Sequence, residues 1–198
     1  MNRVIIGLSI IIILVIIWLY FHNRISQLKN EHFQMKQSML NNNSYNVKDY
    51  PHPDGAADLL AIINRNIKSI IKCLIGKYPN DARVERLKSR AENLQIEEAE
   101  HEVDSSTYTI NKGELMAICL RKKNTSKDFY NMDLLLFVII HELAHIMTIS
   151  EGHTPEFMVN FKFILKEATG CGLYKPVNYA SQNTDYCGVM ITHNPYFE

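Results

Sequence analysis

Hydrophobic residues recur at helical spacing in several stretches of the chain, and these stretches predict its main helices. The first runs from about Ala57 to Tyr78 and ends at Pro79, and the last runs from Pro155 to Thr169. Between them, an apolar run from about Met132 to Ile149 predicts a helix that is buried on most of its surface. A shorter helix is expected over about 81–94, after a Pro-Asn-Asp start.

Alternating apolar and polar positions predict a small antiparallel sheet. Thr107–Ile110 and Leu115–Arg121 have the strand pattern, and Asn111-Lys112-Gly113 between them is a hairpin signal. A further strand is expected over Gly188–Thr192, and an exposed acidic loop over Glu92–Asp104, which has no lysine or arginine. Helices and a short sheet together predict an α+β fold.

The N-terminal pattern is different, because Val4–Phe21 is an uncharged run of 18 residues. As a helix it would be about 27 Å long, close to the thickness of the bilayer hydrocarbon, so it predicts a transmembrane helix. A cleaved signal peptide would have a shorter apolar core followed by small residues. Arg24, Lys29 and Lys36 follow the run, so the positive-inside rule predicts a single-pass protein with its C-terminal domain on the cytoplasmic side.

The segment after this run is polar, and it predicts a tether. Residues 23–56 are rich in Asn, Gln, Lys and Ser, and Ile25–Leu40 has only a thin apolar stripe that would suit a stalk helix. The predicted organisation is therefore a membrane anchor over residues 1–22, a stalk or linker over 23–56, and a folded domain over 57–198.

Composition sets only broad bounds on this organisation. The chain has 198 residues, of which 46% are hydrophobic, and this length suits one domain with an appendage. Its 21 lysine and arginine residues balance 21 acidic residues, so net charge does not indicate a nucleic-acid partner. The four cysteines lack metal-ligand spacing and predict free thiols in a reducing compartment, although the spacing leaves a disulfide open.

The buried central helix carries the candidate chemistry. The four-residue step between His141 and His145 places both imidazoles on one helix face, one turn apart, as a single tetrahedral zinc requires. Glu142 lies within reach of a water in the open metal position without being a ligand. It is therefore predicted to be the general base, and afterwards the acid that protonates a leaving amine.

A catalytic zinc needs a third protein ligand, and we predict His153. It lies in a helix-to-helix turn in which Gly152 suits a positive φ, Thr154 suits the N-cap and Pro155 suits the first helical position. Such a turn can bring a histidine back over the face of the first two. The alternatives are carboxylates of the following helix, Glu156 or Glu167.

Two motifs, HELAH at 141–145 and GHTPEF at 152–157, resemble the WLM and SprT-like zinc metallopeptidases. The chain from about Ala57 to Tyr196 is also similar to small membrane-anchored metallopeptidases encoded by large DNA viruses. This resemblance implies a compact zincin fold with an active-site helix, flanking helices and a small sheet. It implies one zinc ion per chain, bound by His141, His145 and His153, with Glu142 as the catalytic acid and base.

We therefore expect a membrane-anchored zinc endopeptidase that acts on a protein or peptide substrate. One alternative is a membrane-tethered module that binds peptides without cleaving them. Another is a protease for nucleic-acid-bound proteins, with a basic patch formed by Arg65, Lys68, Lys72 and residues 121–123. Three tyrosines of the tail are candidates to stabilise an oxyanion, although each is more often a packing residue: Tyr174, Tyr179 and Tyr186.

Overall fold

The computed structural model describes residues 11–20, 33–100 and 106–198. The chain divides into two units, Met1–Gln34 and Met35–Glu198. Residues 11–20 of the first unit form a helix, α1, whose side chains are exposed.

The prediction of a transmembrane helix over Val4–Phe21 is corrected by the structure. Across the described part of the chain, no helix combines the length and the apolar character that crossing a bilayer requires. The predicted single-pass topology, with the domain on the cytoplasmic side, is corrected with it. Residues 4–10 and 21 of the predicted span lie outside the described residues.

The segment predicted as a polar linker contains two strands. β1 (Phe33–Gln37) and β2 (Ser44–Lys48) form a two-stranded sheet. Alternation along β2 places Tyr45 and Val47 on one face, where both are buried in the core. The prediction of a stalk helix over Ile25–Leu40 is therefore wrong for residues 33–40. Residues 25–32 of that prediction lie outside the described residues.

Four predicted helices are present in the second unit: α2 (Pro53–Lys77), α3 (Ala82–Ala91), α4 (Met132–Met147) and α5 (Pro155–Gly170). The amphipathic α2 buries one aliphatic face, and most of α4 is buried on all sides. Helix α4 packs against both α3 and α5, so the HELAH helix lies at the centre of the core.

A mixed three-stranded sheet accompanies these helices. β4 (Tyr108–Ile110) and β5 (Leu115–Ile118) are antiparallel, which confirms the predicted hairpin, and β3 (Gln95–Glu98) runs parallel to β5. The strand order is β3-β5-β4, so β4 lies at one edge. In the hairpin turn, Gly113 has a φ of +127°. A Cβ there would lie 2.4 Å from the carbonyl oxygen of Arg90, so glycine is required.

The acidic stretch predicted as an exposed loop contains β3, and its Glu98 is buried. The Oε1 atom of Glu98 accepts a 2.7 Å hydrogen bond from Nε of Arg121, and its Oε2 atom accepts one from the Lys48 backbone. The Arg121 guanidinium also lies over the Phe129 ring. Both charged side chains are only 1% exposed. Because Arg121 is buried, it cannot belong to the basic surface patch that the sequence predicted.

The C-terminal tail forms a second hairpin. β6 (Thr184–Tyr186) pairs in antiparallel fashion with β7 (Val189–Ile191), which confirms the predicted strand over Gly188–Thr192. A 3₁₀ turn over Pro195–Phe197 then packs against α5.

Two disulfides correct the prediction of free thiols. Cys73 in α2 is bonded to Cys171 after α5, and Cys119 after β5 is bonded to Cys187 in the turn between β6 and β7. The Cα atoms of the two pairs are 6.7 and 6.5 Å apart, which is within the range for disulfides. Spacing along the chain could not predict them, because the partners are 98 and 68 residues apart.

Candidate metal centre

Helix α4 fixes the first two histidines in the core. Asn131 is its N-cap, with a side chain that accepts a hydrogen bond from the Leu134 backbone. At the other end, the Thr148 backbone and hydroxyl both donate to the carbonyl of Ala144. With both ends fixed and most of its surface buried, the helix gives His141 and His145 a rigid support.

The third histidine is placed by the turn that the sequence predicted. Gly152 has a φ of +77°. Thr154 is the N-cap of α5, accepting from the Phe157 backbone, and Pro155 occupies the start of the helix. These three local features return the chain toward α4 and place His153 beside the other two histidines.

The three imidazoles converge on one point. Their Nε2 atoms are separated by 3.1 Å for His141 and His145, 3.2 Å for His145 and His153, and 3.0 Å for His141 and His153. Ligands of a tetrahedral zinc at about 2.0–2.1 Å lie about 3.3–3.4 Å from one another. The three-histidine group can therefore hold a metal ion.

An aromatic floor lies under this centre. The ring of Phe157 stacks on His145 with centroids 4.3 Å apart, and it contacts His141 and His153 edge-on at 4.8 Å. Burial lowers the pKa of His141 to about 3 and that of His145 to about 4, with smaller contributions from neighbouring positive charge. Both imidazoles are therefore neutral near pH 7, the state in which they bind metal. The sequence analysis missed Phe157 because it fits the packing face of α5 equally well.

Glu142 is buried beside the histidines but keeps one accessible oxygen. Its side chain is nearly buried, and Oε2 accepts a 2.8 Å hydrogen bond from the hydroxyl of Thr109 on β4. Among the described residues, Oε1 has no hydrogen-bond partner, and it is not fully enclosed by protein atoms. Burial raises the pKa of Glu142 to about 7, although the Thr109 hydrogen bond lowers it somewhat.

A cleft of about 330 Å³ gives access to these groups. One wall is formed by β4 and the residues before it, and the opposite wall by α4 and the loop that carries His153. Glu142 and all three histidines line this cleft. The structure thus brings together every residue that the sequence predicted for the site.

The first four residues of the loop between α4 and α5, 148–151, are held by charged side chains that the sequence did not predict. The Nζ atom of Lys112 donates to the carbonyls of Thr148, Ile149 and Ser150 at 3.1, 2.6 and 2.9 Å. Arg90 donates to the carbonyls of Ile146 and Thr148, both at 2.8 Å. Positive charge at a helix C-terminus is favourable.

A carboxylate completes the support of the same loop. Glu156 accepts hydrogen bonds from the backbone of Ile149 and Ser150 at 3.0 and 3.1 Å, and from the Ser150 hydroxyl at 2.8 Å. These bonds lower its pKa to about 2. We name the set of Arg90, Lys112 and Glu156 the loop clamp. No local sequence signal could have identified Lys112, because its acceptors are 36 to 38 residues away.

The alternative third ligands and two of the three candidate tyrosines make other hydrogen bonds, and the hydroxyl of Tyr179 is buried without a hydrogen-bond partner among the described residues. Glu156 belongs to the loop clamp, and Glu167 accepts from Lys77 and Tyr78, both at 2.9 Å. The hydroxyl of Tyr174 accepts a hydrogen bond from Asn194, and that of Tyr186 donates to the carbonyl of Cys119. Among the described residues, the three-histidine group is therefore the set that could hold a metal ion.

Comparison with known proteins places the chain among viral proteins. No family model and no solved structure match it. It is 35% identical over 81 residues to "Uncharacterized protein 136R" of Invertebrate iridescent virus 6, covering 41% of this chain and 44% of that protein. Over 97 residues it is 35% identical to "Uncharacterized protein 042R" of Invertebrate iridescent virus 3, covering 49% and 55%. "Uncharacterized protein R325" of Acanthamoeba polyphaga mimivirus is 30% identical over 159 residues, covering 78% of this chain and 80% of that protein. The chain therefore belongs to the same family as the mimivirus protein R325.

Proposed function

We propose that this protein is a zinc-dependent endopeptidase. The observation that carries the proposal is the convergence of three imidazole nitrogens within 3.0–3.2 Å in a cleft that Glu142 also lines. Three neutral histidines and an open fourth position are typical of catalytic zinc sites. The HELAH and GHTPEF motifs, which resemble those of zinc metallopeptidases, support the restriction to peptide substrates.

Each side chain has a defined part in the proposed reaction. When bound, zinc would act as a Lewis acid that polarises a carbonyl and makes water more acidic. Glu142 would accept a proton from the attacking water at its accessible Oε1 atom and then donate that proton to the leaving amine. Thr109 would hold the other oxygen through its 2.8 Å hydrogen bond, so that the carboxylate keeps one orientation.

The substrate backbone can be held by the edge of the sheet. Among the described strands, β4 pairs with β5 on one side only and forms a wall of the cleft. An extended peptide can add to a free strand edge through main-chain hydrogen bonds, whatever its sequence. We therefore propose that the substrate is an extended protein segment that pairs with β4.

The test compares zinc content and peptide cleavage in the full chain and three variants. The full chain is needed because β2 contributes Tyr45 and Val47 to the core. Glu142→Gln should keep zinc and lose at least about 100-fold in kcat/KM, as expected for loss of a general base. His153→Ala should lose zinc, and His193→Ala, which changes an exposed histidine of the tail, should change neither property.

The outcomes separate the functional classes. Zinc binding with no cleavage of any peptide, in wild type as in Glu142→Gln, would favour a binding module instead of an enzyme. Full zinc content in His153→Ala would contradict the proposed ligand set. Absence of zinc from the wild-type protein after exposure to the metal would overturn the proposal.

A further inference from the structure

A second cavity of about 140 Å³ adjoins the candidate metal centre. It shares Ser106, Thr107, His141 and Glu142 with the larger cleft, so the two spaces meet at the proposed general base. Its remaining wall comes from the first turns of α4 and from the C-terminal hairpin, and consists of Phe137, Val138, Tyr186, Val189 and Ile191. We name this cavity the hairpin pocket.

The hairpin pocket is chemically apolar because its polar groups already bind one another. The Tyr186 hydroxyl donates to the carbonyl of Cys119, so its contact with Thr107 must be a hydrogen bond that the threonine hydroxyl donates. The oxygen of Thr107 in turn accepts from the Cys119 backbone at 3.0 Å. This closed set leaves neither side chain a spare donor for a ligand. Glu142, at the junction with the cleft, is the charged group among the residues that line the pocket.

The size of the pocket sets the size of its occupant. An apolar cavity of about 150 Å³ holds a benzene ring, and the hairpin pocket has about 140 Å³. A phenylalanine, leucine or methionine side chain would fill it. A carboxylate side chain would lose its hydration there without gaining a donor from Thr107 or Tyr186.

The route of a bound peptide leads to this pocket. Ser106 and Thr107, which directly precede β4, line both the cleft and the pocket. A peptide extended along β4 therefore passes the mouth of the pocket where it passes Glu142. Successive side chains of an extended peptide point to opposite sides, so one residue beside the reacting bond can enter the pocket.

Taken together, these features let us propose that the hairpin pocket determines substrate specificity by accepting one apolar side chain, of leucine, methionine or phenylalanine size, next to the cleaved bond. That a bond is cleaved beside the pocket rests on the proposed peptidase function. The preference for an apolar side chain rests on the pocket itself. Val189 and Ile191 supply the wall that can be altered without touching the metal centre.

The test narrows the pocket and compares it with a matched change outside it. Val189 and Met190 are neighbours on β7 and are 51% and 56% exposed, and Val189 lines the pocket whereas Met190 does not. Peptides that differ only in leucine or alanine at the position beside the cleaved bond are compared by kcat/KM. The kcat/KM of wild type should be at least about tenfold higher for the leucine peptide, because each methylene group bound in an apolar pocket raises kcat/KM by a large factor. Val189→Trp should remove most of that preference, and Met190→Trp should keep it.

A binding measurement separates this proposal from the proposed function. The same two peptides are titrated against zinc-loaded Glu142→Gln, alone and combined with Val189→Trp. Tighter binding of the leucine peptide, lost with Val189→Trp, would support the pocket even if the wild type cleaved nothing. The proposal would be overturned if protein with an unaltered pocket bound the two peptides equally and cleaved them equally. It would also be overturned if Met190→Trp lost the leucine preference as Val189→Trp does.

Discussion

The two ends of helix α4 are built by different means. At its C-terminal end, the loop of residues 148–151 is held by the loop clamp, whose charged groups bond to backbone atoms. At its N-terminal half, the hairpin pocket is closed by apolar side chains on a hairpin that the Cys119–Cys187 disulfide holds. His153 follows the loop at the first end, whereas the hairpin pocket at the other end meets the cleft at His141 and Glu142.

This difference follows from what each end has to position. A metal ligand must be placed within a few tenths of an ångström, and directional hydrogen bonds to charged groups achieve this. An apolar pocket needs only a wall at the right distance, because burial of apolar surface is not directional. The Cys119–Cys187 disulfide fixes the position of the hairpin that forms this wall. The Cys187 backbone N–H also donates a 2.8 Å hydrogen bond to the Tyr130 hydroxyl, which fixes the hairpin further.

The largest expected effect comes from removing the Cys119–Cys187 disulfide, at the end of α4 that borders the hairpin pocket. Replacing both Cys119 and Cys187 by alanine should lower the free energy of unfolding by about 2–4 kcal/mol, because the bond closes a long loop in the unfolded chain. The leucine preference should weaken, since the hairpin wall is released, whereas zinc affinity should change little. Urea unfolding, peptide selectivity and chelator competition measure the three quantities.

The other disulfide is the control for that experiment. Replacing Cys73 and Cys171 by alanine removes a bond of comparable sequence separation that lies between α2 and the end of α5. This variant should lose similar stability and keep its leucine preference. The comparison between the two ends would fail if removal of the Cys119–Cys187 bond lowered zinc affinity while the preference stayed intact.

The parts of the molecule that the sequence predicted correctly are local. His141 and His145 are brought together by the pitch of one helix, and the turn before α5 follows from the properties of Gly152, Thr154 and Pro155. The β4–β5 hairpin likewise depends on three consecutive turn residues. In each case the responsible interactions lie within a few residues of one another.

The errors concern contacts between distant segments. Glu98 is buried because Arg121, 23 residues later, neutralises it, and an acidic stretch read alone predicts only solvent exposure. Tyr45 and Val47 belong to the core although they lie in a polar segment. The transmembrane helix was predicted from hydropathy and length alone, and the described residues contain no helix that is long and apolar enough to cross a bilayer.

A smaller effect, on zinc affinity, is expected from Lys112→Met in the loop clamp. Methionine keeps the length of the side chain but cannot donate to the carbonyls of Thr148, Ile149 and Ser150, so the loop before His153 should loosen. Zinc affinity should fall by about 10- to 100-fold, as for other residues that orient metal ligands. Competition with a chromophoric chelator measures this change.

Lys88→Met is the matched control, because Lys88 is a surface residue with a 3.8 Å contact to Glu85. It should leave zinc affinity unchanged, and both variants should keep the leucine preference. Unchanged affinity in Lys112→Met would mean that the loop holds His153 without the lysine, and the contrast between the two ends would then be lost.

The smallest effect is a pH dependence at the clamp, tested with Glu156→Gln. Hydrogen bonds from Ile149 and Ser150 lower the pKa of Glu156 to about 2, against an ordinary value of 4.5. A carboxyl whose pKa is lower in the folded state stabilises the fold above its unfolded pKa and loses that contribution as pH falls toward the folded value. With a chelator present, Glu156→Gln should therefore have a Tm a few degrees below wild type near neutral pH, and the gap should close between about pH 4.5 and pH 2. Glu85→Gln removes an exposed carboxylate of α3 and should produce no such narrowing gap. A gap in Glu156→Gln that stayed constant down to about pH 2 would show that the side chain acts through its shape, and that charge is not what holds this end of the cleft.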